Sequence, residues 1–217
     1  LEDRLRKENP DLRIIDVFGR GGDISILVDE CELGCAAAKY LAERGHRTIW
    51  VPMAKRSRGC ESIPRNWVFE GWFRDNVPGS SVKYFNIYDC DNLFTGSERP
   101  DAVWASRWID ADQILRNMRD HNIRVPEDVS LLSTDFPDEC PPHNLDRLDT
   151  VYFSTAQVAE VVRHNILRHP IRANTGHITI MTEIKLSVRG SVVDRNAKTK
   201  GSQKSDIQSQ NKKGTVV

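Results

Sequence analysis

Two short strings set a cation, a carboxylate and an aromatic ring where strands should end. In "DAVWASRW", Ser106, Arg107 and Trp108 follow an apolar run; in "VSLLSTDF", Ser133, Thr134, Asp135 and Phe136 follow another. A carboxylate accepts hydroxyl hydrogen bonds, a guanidinium donates them in a planar fork, and an aromatic face stacks on the C–H side of a sugar ring. Converging from neighbouring strand ends, these groups would form a crevice for a polar ligand. A structural reading of the same residues is a helix-capping Asp and a packing Trp.

Nothing comparable supports a reaction. The chain has no G-x-S-x-G elbow, no Walker lysine loop and no G-x-G-x-x-G; "GRGGD" (19–23) has the wrong spacing and precedes a strand. His46 directly follows a Gly stop and reads as a cap or polar contact rather than a general base. Asp89 with Asp91, and Asp138 with Glu139, read as solvated loop acids. The five cysteines (31, 35, 60, 90 and 140) lack Cys-x-x-Cys or matching His spacing, so they read as buried or half-buried thiols in a reducing compartment. A non-enzyme with no metal and no cofactor is the expectation.

The elements that must position those strand ends alternate. Leu1 to Glu8 reads as a surface helix, "RIIDVFG" (13–19) and "ISILVDE" (24–30) as strands, and "CELGCAAAKYLAERGH" as a helix stopped by Gly45. Strand 48–53, polar loop 54–65, helix 66–76, strand 82–89, strand 101–106, helix 110–122 and the strand "VSLL" follow. Residues 136–149 read as a connection and 154–170 as an amphipathic helix carrying Val158, Val161, Val162 and Ile166. A strand pair, "HITIM" and "IKLSVRGSVV", closes the folded part. Such βα alternation predicts an α/β fold with doubly wound parallel sheets, whose ligands sit outside the carboxyl ends of the strands.

Bulk properties bound the rest. With 217 residues, 39% hydrophobic and 29% charged, the chain has a globular composition, and its 31 basic residues equal its 31 acidic ones. That balance argues for no nucleic-acid or membrane partner of the chain as a whole. No stretch approaches the roughly 20 apolar residues of a membrane span, and the start lacks a signal-peptide core, so a cytoplasmic setting is expected. The tail, 194–217, lacks aromatics and periodicity and reads as disordered and polar.

Several strings resemble the lactose-repressor (LacI/GalR) family of bacterial transcription regulators. "ILVDECELGCAAAKYLAERGHRTI", "VFEGWFRDN", "DAVWASRWIDADQIL", "RVPEDVSLLSTD", "LDTVYFSTAQVAEVVRHNIL" and "TEIKLSVRGSV" match its landmarks in order, and Val-Pro-Glu-Asp-Val-Ser (125–130) followed by Asp135 is the most specific. The resemblance implies a periplasmic-binding-protein-like type I core of two α/β subdomains joined by three crossovers, the first incomplete. Residues 1–46 with 151–169 would form the first subdomain, and 47–150 with 170–193 the second. Effector contacts would fall on Asp135, Arg107, Trp108 and Val68, with Ser106 and Phe136 beside them. Val68 stands where the family has an Arg, and Arg107 and Trp108 where it has Asn-Asp, which points to an effector with an anionic or strongly polar group. The implied partners are a small-molecule effector, a sugar or derivative, operator DNA through a helix-turn-helix absent from this chain, and a second copy in a homodimer. A periplasmic sugar-binding protein of a transporter is the rival reading of the same fold.

Overall fold

The computed structural model describes residues 2–9, 12–53, 64–134, 145–167 and 176–196. After helix α1 (Glu2–Glu8) come β1 (Ile15–Val17), β2 (Ile24–Leu27), α2 (Glu30–Glu43), β3 (Thr48–Met53), α3 (Pro64–Asn76) and β4 (Ser81–Asn86). A 3-10 helix (Ile87–Asn92) leads to β5 (Ala102–Trp104), α4 (Trp108–Asp120), β6 (Ser130–Thr134), β7 (Asp149–Phe153), α5 (Thr155–Leu167), β8 (Ile178–Met181) and β9 (Ile184–Ser187). The strands form two sheets, a parallel β1-β2-β8 and a six-stranded β4-β3-β5-β6-β7-β9 in which only β9 runs antiparallel.

Alternation along the large sheet sorts its side chains onto two faces, as a strand's period of two requires. Ile49, Val51, Ala102, Trp104 and Leu132 pack on one face with Leu33, Ala37 and Leu41 of α2 and Phe69 and Phe73 of α3. Trp50, Val103, Ala105 and Leu131 pack on the other with Ala111, Ile114 and Met118 of α4. Phe69 is sandwiched between Trp104 and Phe73, with ring centroids at 4.2 and 4.9 Å. Each such fully buried side chain contributes about 1.5–3 kcal/mol through the water it leaves.

Helices α2 and α3 approach closely because Gly34 has no side chain. A Cβ there would lie 2.3 Å from the Arg65 carbonyl oxygen. Gly45 ends α2 in the left-handed region (φ 80°), and the next amide, His46 N, reaches back to Leu41 O at 3.1 Å.

The subdomain limits expected at 46, 150 and 170 do not follow the sheets. The apolar stripe of α2 belongs to the large sheet, so the first crossing falls after Leu27, not after the Gly45 stop. The second falls at Ser154, since β7 lies in the large sheet. "HITIM" and "IKLSVRGSVV" are not a pair: β8 pairs with β2 and β9 with β7, and the third crossing runs through Thr182 and Glu183 between them. The three crossings touch one another, Thr182 N donating to Leu27 O (2.8 Å) and Ser154 N to Glu183 O (3.3 Å).

Smaller differences have local causes. The strand expected over 82–89 stops at Asn86, whose side chain caps the 3-10 helix at Tyr88 N. Cys31 is exposed rather than buried, whereas Cys35 is half-buried and Cys90 buried. The expected tail begins ordered: Arg195 Nη1 pairs with Asp101 Oδ1 at 2.9 Å and Asn196 Nδ2 donates to Glu43 O at 2.8 Å. Residues 197–217 lie outside the described part, as do Cys60, Cys140, Asp138 and Glu139.

Candidate functional site

The site builds from the carboxyl ends of β5 and β6. These strands are adjacent and parallel, with Trp104 beside Leu132, and Ala105 N donates to Leu132 O at 2.8 Å. The two strand-end strings therefore emerge side by side. Thr134 is spent inward, its Oγ1 accepting from Trp104 Nε1 at 2.9 Å. Ser133 Oγ is buried with no hydrogen-bond partner among the described residues. Asp135 and Phe136 lie outside the described residues.

Arg107 is the N-cap of α4 and engages Asp110, three residues on, in a two-pronged pair: Nε to Oδ2 at 2.9 Å and Nη2 to Oδ1 at 2.7 Å. Burial pushes the Asp110 carboxyl above its ordinary value, and the Arg107 guanidinium pulls it back. Trp108 opens α4 two residues earlier than the sequence pattern places the helix, and 43% of its surface is exposed, leaving an aromatic face for stacking. Ser106 is buried, and Val68 is half-buried on α3 next to the exposed Trp67.

Arg65 was hidden from sequence reasoning in the polar loop 54–65. It lies in the first turn of α3, with its side chain only 8% exposed. Its Nη2 donates to Glu30 Oε1 at 2.8 Å and its Nη1 to the Ser106 carbonyl at 2.9 Å, so it ties the start of α2 to the end of β5. The available signal was Pro64, a residue suited to the first position of a helix. Asn66 beside it is buried and its Oδ1 has no partner among the described residues. Facing this region from the small sheet, Phe18 meets Phe153 at the end of β7 edge-on, with centroids 5.1 Å apart.

His46 is no general base for this site. It is fully buried before β3, at the opposite edge of the sheet, with Nε2 against the Val193 carbonyl at 3.0 Å, and burial pulls its pKa from 6.5 down to about 4.

A parallel sheet with helices on both faces, joined to a second sheet by three chain crossings, is matched by the model of the periplasmic binding protein-like domain over residues 38–192. The chain belongs to this family. Its likeness to LacI/GalR effector-binding cores, read from the motifs, holds. The HTH-type transcriptional repressor PurR of Escherichia coli O1:K1 / APEC is 28% identical over 127 residues, covering 51% of this chain and 35% of that protein. This chain thus spans about a third of the length of the curated relatives it matches. Among solved structures, a LacI transcriptional regulator from a Rhodococcus species superposes with a TM-score of 0.68 at 17% identity, over 88% of this chain and 74% of that one. The LacI family regulator CCPA from Weissella paramesenteroides, with bound sucrose, gives 0.68 at 18% identity over 89% and 73%. One from Arthrobacter sp. FB24, in complex with lactose, gives 0.67 at 17% identity over 88% and 75%. These likenesses carry the fold. The named relatives are transcription regulators, which does not favour the transporter reading. Among the described residues no helix is long and apolar enough to cross a membrane.

Proposed function

We propose that this chain is the ligand-sensing core of a LacI-type transcription regulator, with a sugar or other small polar effector held between the two sheets. The observation that carries the reading is the coincidence of two features. The ends of β5 and β6 lie side by side, and among the described residues the chain passes between the two sheets at three short crossings, at 28–29, 154 and 182–183, linked by the bonds Thr182 N to Leu27 O and Ser154 N to Glu183 O. Sheets joined that way are cores of two subdomains able to shift as bodies about the crossings. An effector that fits one arrangement better moves the balance by its difference in affinity, with no bond made or broken.

In this reading Arg107, Trp108 and Asp135 contact the effector, with Val68, Ser106 and Phe136 around them. Asp110 already offsets part of the Arg107 charge, which favours a hydroxyl-rich effector over a fully anionic one. The relatives' names, which include a helix-turn-helix repressor and regulators with bound sucrose and lactose, support the regulator and sugar parts of this reading; a homodimer acting on operator DNA in the cytoplasm is the rest of the proposal. The test is calorimetric titration of a sugar panel into the full-length protein and its Arg107→Ala and Asp135→Ala variants. We expect one sugar to bind the parent and each substitution to weaken it at least tenfold, the effect of losing a charge-assisted hydrogen bond. Unchanged affinity in both variants would remove these residues from the site.

A further inference from the structure

The most specific string of the sequence, "RVPEDVS", and the later landmark "VRGSV" contribute little to the cleft. Their residues meet instead at the amino-terminal edge of β6 and β7, on the far side of the large sheet, where they border a half-open cavity of about 700 Å³. That volume lies in the range of small-molecule sites. Leu115, Ile123, Val125 and Leu148 supply an apolar wall, and Arg119, Arg124, Arg147 and Arg189 bring four guanidiniums.

The charges there are unevenly paired. Glu127 and Asp146 also line the cavity, and Asp128 holds Arg124 through Nε and Nη2 at 2.9 and 2.7 Å. Counting Asp128 and the Asp149 carboxylate behind Arg189, Gly190 and Ser191, four cations meet four carboxylates, so what distinguishes the cavity is which guanidiniums are left out of those pairs. Arg189 is engaged as well, its Nη1 donating to Leu148 O at 3.0 Å. The backbone amides of Arg189, Gly190 and Ser191 are spent on buried Asp149. Arg119 and Arg147 enter none of the ion pairs among the described residues, and both side chains are exposed at the cavity rim. A guanidinium beside an apolar wall matches a ligand that carries an anionic oxygen group on a hydrocarbon body.

We propose that this cavity is a second binding site, separate from the inter-sheet cleft, for a small organic anion that joins a phosphate or carboxylate to an apolar body. Arg119 and Arg147 hold the anionic end, and the Leu115, Ile123, Val125 and Leu148 side chains hold the body.

Phenyl phosphate is a suitable probe, with inorganic phosphate and phenol as its two halves, titrated into the 217-residue chain by calorimetry. Phenyl phosphate should bind at one site, at least tenfold more tightly than either half. The double variant Arg119→Gln/Arg147→Gln, altered only at exposed positions, should lose at least tenfold in affinity while its melting temperature stays put. Arg107→Ala should leave the affinity unchanged, which separates this site from the effector cleft. The proposal is overturned if phenyl phosphate binds no better than inorganic phosphate, if the double variant binds as the parent does, or if Arg107→Ala abolishes binding.

Discussion

The two edges of the large sheet spend their buried polar groups differently. At the amino edge Asp149 is fully buried and accepts from Tyr40 Oη at 2.6 Å and from the amides of Arg189, Gly190, Ser191 and Val192 at 2.6 to 3.2 Å. Asp101 at the same edge accepts from the amides of Arg47 and Thr48, at 2.8 and 3.1 Å. These carboxylates are spent on the protein itself; they clamp the segment after β9 and the start of β3 onto the sheet. Unpaired buried side-chain atoms occur at both edges among the described residues, His46 Nδ1 at the amino edge and Ser133 Oγ and Asn66 Oδ1 at the carboxyl edge, where Trp108 is also exposed. Buried polar groups without partners each cost stability, and both edges bear that cost; what sets the amino edge apart is the Asp149 carboxylate wrapped by a tyrosine and four amides. The amino edge is the anchor, held by Asp149 and Asp101, and the carboxyl edge, where Arg107 and Trp108 emerge, is where we propose the ligand binds.

The contrast is broken most directly at Asp149. Asp149→Ala should cost on the order of 3–5 kcal/mol, because it strands a buried tyrosine hydroxyl and several amides with no acceptor. Urea denaturation of the 217-residue chain at neutral pH measures it. A loss below about 1 kcal/mol would mean that the segment after β9 is not anchored there at all. Burial and the Asp149 carboxylate both push the Tyr40 hydroxyl well above its ordinary value, so the tyrosine stays a donor across the working pH range.

His46 tests the same edge by pH. Its pKa falls from 6.5 to about 4 on folding, so between those values the unfolded chain binds more protons than the folded one. Stability from this group is therefore complete above about 6.5 and is lost as pH falls towards 4. At about 1.4 kcal/mol per pH unit the whole window amounts to roughly 3 kcal/mol. His46→Gln should flatten that part of the stability profile, measured by denaturation at pH 4.5 and 7. An unchanged slope in the variant would assign the acid sensitivity to other groups.

Much of this architecture was legible in the sequence, and the misreadings share one cause. The apolar runs of "TIWVPM" and "DAVWA" were legible as strands because short β-branched and aromatic runs bounded by polar segments suit a sheet buried on both faces. The stripe of α2 is equally plain, but a stripe does not say which sheet it covers, so the Gly stop suggests a limit at 46 whereas the chain leaves the small sheet after Leu27. "HITIM" and "IKLS" look like a hairpin because only Thr182 and Glu183 separate them; their partners, β2 and β7, lie over 30 residues or more away in sequence. For the site, the strand ends containing Arg107 and Thr134 were readable from turn and strand signals. The partner of Arg107 was not, since Asp110 looked like any acid in a helix's first turn, and only the packed structure shows it buried.

Asp110 offers the smallest effect and the finest comparison with Asp149. Both are buried aspartates, yet Asp149 is wrapped by amides and a tyrosine, whereas Asp110 leans on one guanidinium that is itself 31% exposed. Burial raises the folded-state pKa of Asp110 above 3.8, so between 3.8 and that raised value the folded chain holds more protons than the unfolded one. Stability from this group therefore falls as pH rises through that window, opposite in sign to the His46 contribution. Asp110→Asn removes the buried charge and keeps an acceptor for Arg107, so its effect at pH 7 should stay within about 1 kcal/mol, in either direction. Denaturation at pH 4.5 and 7 should also show a slightly steeper rise of stability with pH than in the parent, because the opposing contribution is gone. A loss as large as that of Asp149→Ala would instead make the carboxyl edge an anchor of the same kind, and the division of labour between the two edges would fall.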